Sequence, residues 1–409
     1  MRSGVAGFQP ARLAQARMAR SMTQIALGRM IGRSSGTLSK WESGDQQPEA
    51  EALERLSACL GLPSAWFLKP VPNYGESVCF FRSTAAATKT AQAIAQVRLK
   101  WLNEISLDLQ QFLEWPDINL PTLDQIDHKN ISEEDIEEAA ALCRNTWKLG
   151  LGPISNMLLA LENSGVICTR EELGYTRMDG ASQWFLTDGR PYVFLSADKA
   201  NAMRSRFDAA HELGHLVLHR SVTGLDFTKR NPEIERQAHR FASAFLLPAE
   251  SFAAEISHPS LDTFLALKPR WKVSVAAMIV RCADLGIIDE AYTIRLWKNY
   301  SARGWRRGEP LDDSIPVEKT KLLPRAIELI LSSGVFDRPG IVSTLGLSQS
   351  DTESLCGLPL GWLSETKNQN ISDIVRLKTE VGMSSNVDRP AHHQANIIDF
   401  SKHYKSSSN

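Results

Sequence analysis

Arg204-Ser-Arg-Phe-Asp-Ala-Ala-His-Glu-Leu-Gly-His-Leu-Val-Leu-His219 sets two histidines four residues apart, with a glutamate directly after the first. Phe207, Ala210, Leu213, Val217 and Leu218 recur at helical spacing, which predicts a helix from about Ala200 to His219. On that helix His211 and His215 lie one turn apart on one face, so both imidazoles can reach one metal ion. Glu212 sits beside them, placed to contact a water without ligating the metal, the division of labour of a zinc-peptidase helix. The expected cofactor is therefore Zn2+, with Glu212 as the catalytic base. A third protein ligand is needed, leaving the fourth position for water. His219 is eight residues from His211, about 12 Å along the axis at 1.5 Å per residue, too far to share the ion. Glu235 is the expected third ligand, because the neighbouring stripe of Ile234, Ala238, Phe241 and Phe245 would turn it inward. His239, one turn later, is the alternative ligand or a supporting partner, and Asp208 could orient an imidazole but reads first as a solvated carboxylate.

Outward from this helix the pattern is mostly α with a small β-sheet, an α+β fold. Asn231-Pro232 reads as the cap and first residue of the next helix, halted by Pro248. Upstream, Val166–Thr169, Ser182–Leu186 and Tyr192–Ser196 read as strands, the last two joined by an Asp188-Gly189 turn. Ser132 and Asp135 form a capping box for a helix to about Lys148, and Pro153 is the expected start of another, ended by Gly165. Residues 84–114 carry helical periodicity in Ile94, Val97, Trp101, Ile105, Leu109 and Phe112.

Residues 8–69 read as four short helices with tight turns. Thr23 and Ser34 or Ser35 are the expected caps, and Gly32, Gly44 and Gly61 the stops. The spacing from Thr23-Gln24 through Gly32 to Leu38, Trp41 and Gly44 suits a helix-turn-helix, with Ile25, Ala26, Met30, Leu38 and Trp41 expected to fix the angle between its helices. Charge agrees. Residues 1–70 hold nine Lys/Arg against five Asp/Glu, while the whole chain of 409 residues has a formal charge of −1. Such asymmetry points to a polyanionic partner. The chain is 43% hydrophobic with no apolar run long enough for a membrane helix, and its six cysteines form no Cys-x-x-Cys pair. No membrane association is expected, and a reducing, cytoplasmic setting is.

The first 60 or so residues resemble the phage-repressor, XRE-type helix-turn-helix family. That resemblance implies DNA contacts from Gln24, Arg33, Ser35, Gly36, Thr37 and Lys40, and a structural ion pair between Arg17 and Glu42. Asp45 stands where relatives carry a basic phosphate contact. Arg204–His219 together with Glu235-Arg-Gln-Ala-His-Arg-Phe-Ala-Ser-Ala-Phe-Leu-Leu-Pro248 resembles the ImmA/IrrE metallopeptidases, with Gly189-Arg-Pro191 and Leu267–Ser274 extending the likeness over roughly residues 80–310. It implies a minimal zincin in which His211, His215 and Glu235 hold zinc. Gln237 and His239 depart from the commoner Glu and Asn of the second motif.

The expected organisation is a DNA-binding domain at 1–70, a linker at 71–83, a zinc metallopeptidase domain at 84–310, a helical region at 311–363 and a polar tail at 364–409. The expected function is that of a DNA-binding transcriptional regulator with a zinc-dependent endopeptidase domain that cleaves a partner repressor or toxin-system protein. The alternative is a transcription factor whose zincin-like domain senses a ligand, metal or partner without cleaving. The expected partners are double-stranded operator DNA, bound as a homodimer, and a protein substrate such as a repressor. No residue is clearly marked for oxyanion stabilisation; Tyr175 and Tyr192 could serve, though each reads first as structural.

Overall fold

Capping chemistry sets the first elements. Helices α1 (Pro10–Ala19), α2 (Gln24–Ile31), α3 (Ser35–Ser43) and α4 (Ala50–Leu60) follow in order, with a 3₁₀ turn at Ser64–Leu68. Thr23 and Ser34 accept the backbone N–H groups of Ala26 and Thr37, and Gly32, Gly44 and Gly61 close their helices in left-handed conformation. The α2–α3 turn has a stricter requirement at Gly28, where a Cβ would lie 2.6 Å from the Arg33 carbonyl oxygen. Leu27, Ile31, Leu38 and Trp41 are buried between these helices. Ile25 and Met30, expected inside, are instead 56% and 62% exposed, and Ala26 is exposed too. The α2 stripe is rotated by about one residue from the predicted one, because Leu27 and Ile31, spaced i,i+4, carry the contact.

The computed structural model describes residues 4–83, 89–121, 129–174, 178–198 and 201–364, all within one compact unit. After the opening helices come strand β1 (Phe80–Ser83), α5 (Lys89–Leu109), α6 (Glu133–Thr146), α7 (Met157–Asn163), and strands β2 (Ile167–Glu171), β3 (Met178–Trp184) and β4 (Pro191–Ser196). Helices α8 (Ala202–Leu218) and α9 (Gly224–Leu246) form the site. Helices α10 (Ala249–Ala254), α11 (Leu261–Trp271), α12 (Val275–Asp284) and α13 (Glu290–Ala302) follow, then α14 (Leu322–Ser332), α15 (Arg338–Leu345) and α16 (Gln349–Leu355). Among the described residues no helix is long and apolar enough to cross a membrane. Tyr175 and the tail beyond Ser364 lie outside the described residues.

The sheet has the order β1-β3-β4-β2, antiparallel except for the β2–β4 pair. Both faces are buried, so successive residues serve different cores. Ile167, Tyr192 and Phe194 join a core that runs from α1–α4 through α5 to α14–α16. Cys168, Val193 and Leu195 join the core of α6–α9 and α11–α13.

Three expectations are corrected here. The 71–83 segment is not a free linker, since it supplies β1, and its approach is pinned: Arg12 donates to the carbonyls of Lys69 and Pro70, and Tyr74 is buried with its hydroxyl on Glu104. The helix after the motif starts at Gly224 with a Thr223–Asp226 capping box, and Pro232 lies inside it. The early box satisfies the end N–H groups, and the apolar face downstream outweighs the bond that proline removes. Pro153 likewise starts no helix. Asn156 caps α7 by accepting from Leu159.

Charged groups tie the opening helices to the rest. Arg98 of α5, buried, makes a two-armed pair with Glu171 of β2 and donates to Asp351 of α16. Asp351 also receives both arms of Arg20 from the end of α1. Arg12, fully buried, pairs with Glu104 at 2.7 Å.

Candidate metal centre and nucleic-acid interface

Asn201 caps α8 by accepting from the Arg204 N–H, and the helix is buried almost throughout because β3 covers one side and α9 the other. The crossing with α9 is close at Gly214. A Cβ there would lie 3.1 Å from both the Cα and the carbonyl oxygen of Ala238. That approach carries Glu235 to the two histidines. Gly214→Ala is therefore expected to push α9 outward, costing roughly 1–3 kcal/mol for an overpacked core and weakening metal retention. Urea unfolding and a metal titration check both effects.

His211 Nε2 and His215 Nε2 lie 3.1 Å apart, and the Glu235 oxygens lie 3.3 Å from His211 Nε2 and 3.4 Å from His215 Nε2. Tetrahedral ligands at about 2.0–2.1 Å from a zinc ion stand about 3.3–3.4 Å from one another, so the triad has the spacing of a metal set. Hydrogen bonding supplies the right tautomer. The Gln237 Oε1 can only accept, so His219 Nε2, 3.0 Å away, donates to it. His219 Nδ1 then accepts from His215 Nδ1 at 3.0 Å, which leaves the His215 Nε2 lone pair facing the triad. His219 and Gln237 thus orient His215 through its far nitrogen. Burial holds His211 well below its ordinary pKa, so it too is neutral. With His211 neutral as well, both imidazoles can present an Nε2 lone pair beside the Glu235 carboxylate, a donor set that suits a cation.

Glu212 is fully buried. Ser182 of β3 donates to its Oε2 at 2.6 Å, while its Oε1 has no hydrogen-bond partner. Gly180, also on β3, is cut to fit: a Cβ there would come within 2.8 Å of Oε1. Burial pushes the Glu212 carboxyl well above its usual range, against the lowering by Ser182. Such a group binds a proton readily.

Other expected roles change. Asp208 is buried and paired with Arg82 of β1 at 2.6 Å, not solvated. The pairing reflects the new strand, which brings Arg82 over α8. His239 does not reach the triad with a hydrogen bond. It packs against Phe207 with ring centroids 4.7 Å apart and lies 6.2 Å from His211 by the same measure. Tyr192 keeps the structural reading: it is buried and donates to Asp188. Ser182, Gly180 and Phe80 are site residues that the sequence reading does not mark. For the first two, the only sequence cue was a strand running beside the motif helix.

At the other site, Arg17 and Glu42 pair through two hydrogen bonds of 2.6 and 2.8 Å. Gln24 opens α2 and donates to the same carboxylate. Ser35, Gly36 and Lys40 are exposed along α3, and Thr37 is half-buried beside the Ser34 hydroxyl. Arg33 pairs with Glu49, so its charge is partly engaged. The basic excess read from the sequence is partly structural as well, since Arg12, Arg17 and Arg20 all have internal carboxylate partners.

Residues 162–283 match the family model described as the IrrE N-terminal-like domain, Peptidase_M78. Residues 13–67 match the helix-turn-helix model. No curated protein matches the chain. The likeness expected over 80–310 is thus carried by β2–β4, α8, α9 and the helices up to α12. The order is a helix-turn-helix module first, a metallopeptidase-like domain in the middle and a helical C-terminal region.

Proposed function

We propose that the protein is a DNA-binding regulator whose metallopeptidase-like domain is a zinc-dependent endopeptidase that cleaves a partner protein, a repressor or a toxin-system component, to switch gene expression. The observation that carries this reading is the convergence of His211, His215 and Glu235 at metal-ligand spacing, beside a buried Glu212 with one free oxygen. A pure sensor has no use for that second carboxylate. His211, His215 and Glu235 would hold the ion. When bound, zinc supplies a Lewis acid that acidifies water and polarises an amide carbonyl. Glu212 accepts a proton at its free Oε1 while Ser182 fixes the other oxygen, and then returns it to the departing amine. β3 and α9 keep bulk water from this carboxylate.

Glu235→Gln should lower zinc affinity at least tenfold, as measured by competition with a chromogenic chelator. Wild-type retention would shift the third ligand to His239.

The proposed DNA surface is Gln24, Arg33, Ser35, Gly36, Thr37 and Lys40, bound as a homodimer to paired half-sites. Operator binding by the full chain should weaken steeply with salt, because phosphate contacts release condensed counterions. Lys40 is exposed with no ion-pair partner among the described residues, so Lys40→Ala should weaken binding several-fold and flatten the salt slope. Fluorescence anisotropy across a salt series measures both, and an unchanged slope would move the docking face elsewhere.

A further inference from the structure

Among the described residues β1 is the one strand outside the 162–283 match, and it lies along the β3 edge that holds the reactive carboxylate. Its pairing is antiparallel, with Phe80 opposite Ser182 and Arg82 opposite Gly180. Those two partners are the residues that bond and cradle Glu212. Alternate side chains of a strand share a face, and here that face is turned to α8. The Phe80 ring lies flat on His215, with centroids 4.6 Å apart and planes 7° from parallel, in an apolar pocket with Val222, Ile234 and Phe227. Arg82 reaches Asp208 at 2.6 Å, and its guanidinium lies 5.0 Å from the centroid of the Phe207 ring. β1 therefore crosses the centre from His215 to Asp208.

An extended peptide offering an amide to Glu212 must lie where its backbone can pair with β3, because strand addition at a sheet edge is how such a peptide is held. That row of backbone groups is now used by β1. The occupant is only four residues long, and its register breaks between Arg82 and Ser83, so few ladder bonds resist exchange.

Building on the peptidase reading, we infer that β1 stands in for substrate. The β3 edge is a peptide-binding site for an extended segment with an aromatic side chain two positions before a basic one. The aromatic group is taken by the pocket over His215 and the basic group by Asp208. Phe80-Phe81-Arg82 fills the site until a partner segment displaces it.

The test uses a fluorescein-labelled peptide of the sequence 76–86, with serine in place of Cys79, added to full-length protein carrying Glu212→Gln so that the probe stays intact. Phe80→Ala/Arg82→Ala in the protein should raise probe affinity at least tenfold over the chain with its own β1. The same two changes in the probe should abolish binding. Operator binding and thermal unfolding of the double variant show whether it is folded. A second arm needs no change in β1: saturating probe should speed hydrogen exchange at 80–82 while residues 178–182 stay protected. Equal probe affinity for both chains, or unaltered exchange at 80–82, overturns the stand-in. The two readings fail separately. Probe binding without hydrolysis of any partner removes the peptidase and keeps the peptide site. Partner cleavage with no probe binding keeps the peptidase and removes the stand-in.

Discussion

Glu212→Gln is expected to slow hydrolysis of the partner protein by about 10²–10⁴-fold, the usual loss of a general base. At 1.36 kcal/mol per decade this is about 2.7–5.4 kcal/mol of barrier. The amide keeps the shape of the carboxylate and can still meet the Ser182 hydroxyl, but it cannot hold a proton. Zinc content and operator binding should stay at wild-type levels, which separates loss of chemistry from loss of structure. In cells, the repressor encoded nearest the gene should remain intact under DNA damage or other stress, and its target genes silent. Regulation by Glu212→Gln that matches wild type would instead favour the sensor, in which the centre binds but does not cut.

Arg98→Ala should be the most destabilising single change outside the metal centre. Arg98 is buried, and its removal takes the two-armed partner from the buried Glu171 carboxylate and leaves Asp351 to Arg20 and Ser348. Breaking a buried pair by deleting one partner costs about 3–5 kcal/mol, and Glu171 loses both arms of its donor here. The midpoint of urea unfolding measures it. A pH series offers a second check. Burial would raise the Asp351 carboxyl, yet Arg20 and Arg98 hold it at about 2, below its ordinary 3.8. A depressed carboxylate pKa stabilises the fold above the ordinary value and loses that contribution as pH falls towards 2. The wild type should weaken across that window, and Arg98→Ala should weaken less steeply there. Equal slopes would show that Arg98 contributes nothing through Asp351.

How legible these features were depended on sequence distance. His211, Glu212 and His215 are neighbours on one helix, so their spacing alone gives the geometry. Glu235 could be read because the apolar period beside it survives the misplaced helix start. That start was misread for a local reason: Asn231-Pro232 offers a good cap, but Thr223 and Asp226 offer a reciprocal one earlier, and packing decides between them. β1 was hidden because four residues carry too little alternation to read and pair with β3, about a hundred positions away. Arg12 and Arg20 looked like part of a DNA-facing charge excess. Their partners, Glu104 and Asp351, lie 92 and 331 positions along the chain, and nothing local marks the pairing.

That pairing bears on how such regulators can recombine. Helix-turn-helix heads are often thought of as cassettes, exchanged between proteins to give an effector domain a new operator. Here the head does not end where its homology ends. Arg12 is sealed against α5, and Arg20 closes on a carboxylate that comes from the far end of the chain. A hybrid that took residues 1–70 alone would bring two arginines without their counter-charges, leave Glu104 without its own and leave Asp351 with Arg98 alone. A viable graft would have to carry α5 and α16 as well, so for inheritance and for engineering alike the smallest transferable unit spans nearly the whole described chain.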